Sequence, residues 1–564
     1  MSFAACLPRR ASGRSQSASD RSFQLDLAWR NKYTRLTAPL WQTCPPVRTA
    51  GLELVLPASL DGAALVANRL EVEVGRPRTL DRVLLDTFDG RLRAAGLSAE
   101  RSAGRAASST LTLSEPGAPP RKAKVAPAAR HLAGELAAGP VRDRLATVLG
   151  VRALLPLVRV RSRTRSLAVL NRDAKTVVRL EVEQGQVVGE GRKPAALAPR
   201  LRVQPVLGYD KAFERIARVL TRELGLADAP VPLFDEAVAV VGGRPAGASS
   251  KVGVKLAPGT SAHDAAGTVL SRLADIADEN LPGTLEDLDT EFLHDLRVSV
   301  RRARSVLREL RGVYPTAVRA HLRSELRWVQ ALTTPVRDLD VQLLEWDKLT
   351  GALPLARRAD LAPLCQLLSR HRADAFRTLR RGLCGRRFAE SLAEWRALAA
   401  CRPAPDADRP RAELAIEAVV GHRIRSVYRR MVRDGLRIGD ESPPEALHDL
   451  RKRGKELRYL LELFGSLFPG SVVKPMVSAL KRLQDVLGRF QDRAVQTQLL
   501  RGLGDELAAE PGGPAALMSL GLAVEALLAD QGAAREDFAE RFEVFASSQQ
   551  RALMDDTFPN LDPT

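Results

Sequence analysis

Aromatic residues are scarce in this sequence: Phe, Trp and Tyr together make up 4% of 564 residues. That weighs against a strand-rich fold throughout. It also weighs against a surface on which unpaired nucleic-acid bases stack in succession. Cysteine is equally sparse. Cys6, Cys44, Cys365, Cys384 and Cys401 are scattered, odd in number, and form neither a CxxC pair nor a cluster with histidine. This pattern excludes a disulfide framework and a cysteine-based zinc site. No run approaches 18 consecutive apolar residues, so no membrane span is read. Arg9, Arg10 and Arg14 are followed by no apolar stretch, and no signal peptide is read. A reducing, cytoplasmic setting without a membrane partner is the expectation.

The chain does have an excess of positive charge. Lys and Arg number 86 against 67 Asp and Glu, a formal charge of +19. Such a balance attracts a polyanion, whether nucleic acid, anionic membrane or another polymer. No helix-turn-helix, zinc or RNP-type pattern points to specific nucleic acid. The length calls for more than one core.

The fold class expected is α+β and multidomain. Residues 1–50 mix Ser, Arg, Pro and Gln without periodicity and read as a disordered leader. Between 51 and 228, period-two alternation recurs in LELVLP (52–57), LEVEVG (70–75), DRVLLDTFD (81–89), STLTL (109–113), LVRVRSRTRSLAVL (157–170) and KTVVRLEVE (175–183). These read as half-buried antiparallel strands, closed by a helix over 208–226. Residues 229–261, with GGRPAG, read as a linker. From 262 to 550 the period is helical, punctuated by short Pro/Gly breaks. This predicts an all-α bundle in two repeats, about 262–400 and 411–550, followed by a tail over 551–564.

The repeat keeps one offset. LHDLRVSVRRARSVLREL (293–310) returns as LHDLRKRGKELRYLLELF (447–464), 154 residues later. The same offset pairs Tyr314-Pro315 with Phe468-Pro469, Arg327 with Lys481, Gln330 with Gln484, and Asp338 with Asp492. Constant spacing over some fifty residues marks a duplication.

At about 100° per residue, His294, Arg297, Arg301, Arg304 and Arg308 fall within an arc of roughly 80°. His448, Arg451, Lys455 and Arg458 repeat it. Leu296, Val300, Leu307 and Leu310 take the neighbouring face and are expected in the core. Arg323, Arg327 and Gln330 share one side of the next helix; their counterparts are Val477, Lys481 and Gln484. A stabilising solvent face alternates charge sign at i,i+4, yet no acid stands between Arg297 and Arg308. Stacked like charges repel, and an anionic ligand reverses that cost. Glu456 and Glu462 interrupt the second stripe, so that half is expected to bind more weakly.

The paired HDLR helices, the basic residues after them, and RDLDV (337–341) and GRFQDRAV (488–495) in the following helices resemble the CHAD domain, the conserved histidine α-helical domain. The resemblance covers roughly 262–550. It implies two pseudo-symmetric sub-bundles that bind inorganic polyphosphate in a basic channel. The residues so implied are His294, Arg297, Arg301, Arg304, Arg327, His448, Arg451, Lys455, Arg458 and Lys481, with Arg308 and Arg323 added from the stripes. Asp338 and Asp492 match acidic positions and are expected to orient basic side chains. Protonation of the two histidines near pH 6.5 is expected to tighten binding.

CHAD domains are often preceded by a CYTH domain, an antiparallel β-tunnel that hydrolyses triphosphates with divalent metal. LLDTFDGRLRAAGLSAER (84–101) is similar to part of that family, and VRVRSRTRSL (158–167) resembles a basic tunnel strand. Arg101, Arg159, Arg161 and Arg163 would be the phosphate contacts. The family's E-x-E-x-K strand is reduced here to Gly51, Glu53 and Val55, and Arg202 and Gln204 alter a later acidic strand. The N-terminal region is therefore expected to be a degenerate, tunnel-like domain without catalytic residues or metal ligands. No cofactor is expected, and Mg²⁺ would enter only if that domain were active. The function expected is non-catalytic binding of polyphosphate, with targeting to polyphosphate granules. The alternative is a metal-dependent triphosphatase with an accessory polyphosphate-binding domain.

Overall fold

The computed structural model describes residues 51–58, 61–103, 108–115, 118–128, 130–189, 193–244, 247–401 and 408–558. The leader read at 1–50 and the end of the tail lie outside the described residues. The chain divides into two compact units, Met1–Ser249 and Ser250–Thr564.

The first unit is one antiparallel sheet. Its strands are β1 (Leu52–Val55), β2 (Val72–Val74), β3 (Arg78–Asp86), β4 (Ser98–Ala103), β5 (Ser109–Ser114), β6 (Arg121–Val125), β7 (Leu155–Leu170), β8 (Thr176–Val188), β9 (Ala195–Ala196) and β10 (Arg200–Pro205). Their order is β1-β10-β8-β7-β3-β4-β5-β6, with β2 added to β7 and β9 to β8. Among the described residues β1 and β6 do not pair, so the tunnel implied by resemblance is an open sheet rather than a closed barrel. The helices are α1 (Gly62–Ala67), α2 (Arg91–Ala94), α3 (Pro140–Leu149), α4 (Asp210–Arg218) and α5 (Leu233–Val240).

Cross-strand register sorts the charges by face. Glu53 stands opposite Arg202, Arg202 opposite Glu181, and Thr164 opposite Glu183, which places Glu53, Arg202, Glu181 and Glu183 on one face. Arg161 lies opposite Asp81 and Arg101 opposite Val83, on the other face. The arginines read as phosphate contacts are thus turned away from Glu53. Both Arg159 and Arg161 instead hold Asp81, Arg159 through two bonds of 2.7 Å. Aspartate 86, in the DTFD segment, accepts the backbone N–H groups of Thr87, Leu92 and Arg93 at 2.6, 2.9 and 3.0 Å. The motif caps the start of α2.

Part of the stretch read as a linker is structured. In α5, Leu233, Ala237 and Val238 pack against Leu84, Val158, Val160 and Val187 of the sheet. Arg93–Asp235 (2.6 Å) and Arg200–Glu236 (2.5 Å) fasten it. Turn-formers follow this helix, and they masked its short apolar face in the sequence.

The second unit is all-helical: α6 (Ala262–Leu285), α7 (Thr290–Glu309), α8 (Thr316–Leu344), α9 (Trp346–Gly351), α10 (Ala362–Leu383), α11 (Arg386–Ala400), α12 (Ile416–Gly435), α13 (Pro444–Phe464), α14 (Gly470–Gly502), α15 (Gly504–Ala508), α16 (Gly513–Phe545) and α17 (Ser548–Thr557). The first residues of α6, α7 and α8 and those of α12, α13 and α14 are each 154 apart. One core runs through both triplets, with Leu296, Val300, Leu307 and Leu310 from the first and Leu450, Leu457 and Leu461 from the second. By length and composition α16 could cross a membrane, with a mean hydropathy of 1.3. Here its Ala516, Leu520 and Ala523 side packs on Leu361, Leu364 and Leu368.

The two triplets meet at equivalent residues. Ser261 and Ala415 form an antiparallel bridge. Ala262 N donates to Leu414 O at 2.8 Å, and Ile416 N to Thr260 O at 2.9 Å. Each bond is the other's image under the offset, which defines a local pseudo-twofold axis between Ser261 and Ala415.

Candidate polyanion site

Helices α7 and α13 carry the basic stripes, and they touch. Arg302 lies 2.7 Å from Glu462, and Arg308 lies 2.9 Å from Glu456. A six-residue step forward on α7 is a six-residue step back on α13, so the helices cross antiparallel about Ser305 and Tyr459. Position 302 corresponds to 456, and 308 to 462, making the two ion pairs symmetry images. The acids that seemed to interrupt the second stripe are the partners that join it to the first.

This pairing sorts the predicted residues. Arg308 is engaged by Glu309 at 2.5 Å as well as by Glu456. Arg458 lies 2.6 Å from Glu462 and donates to Gln484 Oε1 at 3.3 Å. Both are neutralised within the protein. Arg304 donates to Gln330 Oε1, the counterpart of the Arg458–Gln484 bond. Arg297 is pinned to α8: its Nη1 donates to Gln330 O, Thr333 Oγ1 and Thr334 Oγ1 at 3.1, 2.6 and 3.1 Å. Burial pushes Arg297 down to about 10, with Asp338 opposing that shift. Its counterpart Arg451 is held by Asp492 at 2.8 Å.

Others carry charge without a protein anion. Among the described residues, the side chains of Arg323, Arg327, Lys455 and Lys481 form no ion pair or hydrogen bond. Arg301 lies over the Tyr459 ring, 5.6 Å from its centroid. Arg304 and Arg323 are lowered from the usual arginine range by burial first. Their neighbours then add to this: Arg327, Arg323 and Arg308 for Arg304, and Arg319, Arg308, Arg327 and Arg311 for Arg323. Burial likewise pushes Lys455 down to about 8, with Arg451 and Arg301 adding to it. Arg301 and Lys455 are counterparts, so the stripes converge where the helices cross.

The histidines differ. His448 Nδ1 lies 2.7 Å from Gln491 Oε1, whereas the counterpart of Gln491 in the first repeat is Arg337. Burial and then Arg337 push His294 down to about 4. The expected protonation near pH 6.5 therefore does not apply to His294 in the free protein. The two acids differ as well. Burial raises the Asp338 carboxyl and Arg297 and Arg337 pull it down, and among the described residues it forms no ion pair. Two residues on, Asp340 lies 2.6 Å from Arg372, which also holds Asp287 at 2.6 Å. Sequence reasoning missed Asp340, Thr333, Thr334 and Gln491. Only Gln330 and Gln484 were signalled, by the offset.

In the sheet unit, Glu183 is fully buried and engaged by Arg82, by Arg202 at 2.9 Å and by Ser162 Oγ at 2.5 Å. Glu53 lies 3.0 Å from Arg200. Among the described residues no cluster of three or more His, Cys, Asp or Glu is arranged to hold a metal ion.

No curated protein matches the sequence. Among solved structures, the chain is similar to the CHAD domain from the plant Ricinus communis, at 22% identity and a TM-score of 0.43 over 51% of this chain and 94% of that one. It is also similar to PptA from Streptomyces chartreusis, at 18% identity and a TM-score of 0.41 over 51% of this chain and 100% of that one. The family model of the CHAD domain matches residues 268–501, the span that holds α7, α8, α13 and nearly all of α14. This chain carries a CHAD domain at residues 268–501, behind an N-terminal antiparallel sheet unit.

Proposed function

We propose that the helical unit binds inorganic polyphosphate without transforming it, and that this holds the protein on polyphosphate granules in the cytoplasm. The observation that carries the reading is the set of cations left without a protein anion: Arg323, Arg327, Lys455 and Lys481. Arg323 and Arg327 stand among other arginines, and Lys455 stands beside Arg301, Arg451 and Arg458 as well as Asp492. Repulsion among them is relieved by a ligand with closely spaced negative charges. Arginine forks suit phosphate oxygens, and no group in the cluster is placed as a nucleophile's base.

The sheet unit is read as a degenerate CYTH-like companion. Its inward acids, Glu53 and Glu183, are engaged by Arg200, Arg82 and Arg202, which leaves them poor ligands for Mg²⁺. A magnesium-dependent triphosphatase assay tests this, with no turnover expected.

Retention on immobilised long-chain polyphosphate, compared with DNA of equal charge, tests the main reading. The wild type should hold polyphosphate to higher salt than DNA, and Arg327→Gln/Lys481→Gln should elute earlier. Equal retention on both polymers, or no change in the variant, overturns the proposal.

A further inference from the structure

We infer that Lys455 couples polyanion binding at this site to proton uptake, a property its counterpart Arg301 cannot supply; the inference rests on the polyanion reading above.

The geometry is asymmetric at one atom set. Arg301 on α7 and Lys455 on α13 occupy equivalent positions, 154 residues apart, near the crossing of the two helices. A guanidinium stays charged at any pH the protein survives, whereas an ammonium readily gives up its proton when crowded by other cations. Lys455 is half-buried. The charged groups facing it are Arg451 and Arg458 from its own helix, Arg301 from α7, and Asp492 from α14. Asp492 already accepts from Arg451 at 2.8 Å, and Arg458 is turned to Glu462. The Lys455 ammonium forms no ion pair or hydrogen bond among the described residues. Burial and then Arg451, Arg301 and Arg458 bring it down to about 8, with Asp492 opposing them. At mildly alkaline pH the free protein therefore holds a neutral amine among these arginines.

A polyanion laid across the crossing reverses this balance. Its negative charge favours the ammonium form, so binding draws a proton from solvent onto Nζ. By linkage, affinity must then fall as pH rises above the value for the free protein. The interior phosphates of a long chain are strong acids and stay ionised throughout, so the ligand contributes no slope of its own.

Isothermal calorimetry with long-chain polyphosphate, at fixed salt, tests this on the full chain. For the wild type, apparent affinity should drop by up to about tenfold per pH unit above about 8. The binding enthalpy should also vary with the ionisation heat of the buffer. Lys455→Arg should bind across the range with neither slope nor buffer dependence, and Lys455→Gln should bind more weakly, also without slope. Melting curves check that both variants fold, and the arginine variant, which keeps the charge, decides if the glutamine variant does not. A wild-type affinity flat with pH, or a slope that survives in Lys455→Arg, overturns this inference alone. A wild type that fails to bind polyphosphate at any pH overturns the reading beneath it and this inference together.

Discussion

Arg302 and Glu462 meet at 2.7 Å across the boundary between the two repeats, and their image, Glu456 with Arg308, closes at 2.9 Å. These pairs are partly shielded and belong to a network with Glu309, Arg423 and Arg458. Each should contribute about 1 kcal/mol, the upper end for exposed pairs. A double-mutant cycle of Arg302→Gln and Glu462→Gln, read by denaturant unfolding, should return a coupling of that size. A coupling near zero would show that the contact does not join the repeats.

Arg327 and Lys481 are exposed counterparts on α8 and α14, free of protein partners among the described residues. Their replacement by glutamine should leave the melting temperature within a degree or two while weakening polyphosphate binding. If each neutralises one phosphate, the slope of log affinity against log salt should become shallower by about 0.7 per residue, the single-strand value. A salt titration of both single variants checks this.

His294 carries a pH signature of its own. Its folded-state value is about 4, against an ordinary value of 6.5, so the fold favours the neutral ring. The associated stability is fully present above pH 6.5 and is lost as pH falls toward about 4. His294→Gln should therefore flatten part of the loss in melting temperature over that window. The ring protons of His294, followed by NMR in the free protein, should titrate well below pH 6.5. Addition of polyphosphate should move that titration upward.

Glu183 in the sheet unit is fully buried between Arg82 and Arg202. Replacing it with glutamine leaves two arginines without their shared anion. Removal of one partner from a buried pair costs about 3–5 kcal/mol, and chemical denaturation of Glu183→Gln should show a loss of that order. A loss below about 1 kcal/mol would mean that water already screens the cluster.

The duplicated bundle was legible because a constant offset is a statement about register. Once His294 and His448 are aligned, the starts of α6, α7 and α8 dictate those of α12, α13 and α14. The roles within the stripes were not legible in the same way. Helical periodicity places Arg308 and Arg458 on the arc of Arg301, but it does not say that the other repeat supplies acids to that arc. Glu456 and Glu462 read as defects in their own helix and become partners only when α7 is laid across it. In the sheet unit, alternation separated Arg159 and Arg161 from their neighbours correctly. It could not tell that their face is opposite that of Glu53, since that depends on the pairings that run from β7 through β8 and β10 to β1.

The reciprocal backbone bonds at Ser261 and Ala415 mean that either repeat offers the geometry of a self-complementary dimer. The charges disfavour it. Two copies of the first repeat joined in this way would set Arg302 against Arg308, and two copies of the second would set Glu456 against Glu462. Only unlike repeats bring opposite signs together, so the joint discriminates against copies of itself by repulsion. The covalent link makes the permitted pairing local, and the charge pattern keeps it from being exchanged for a pairing of like repeats.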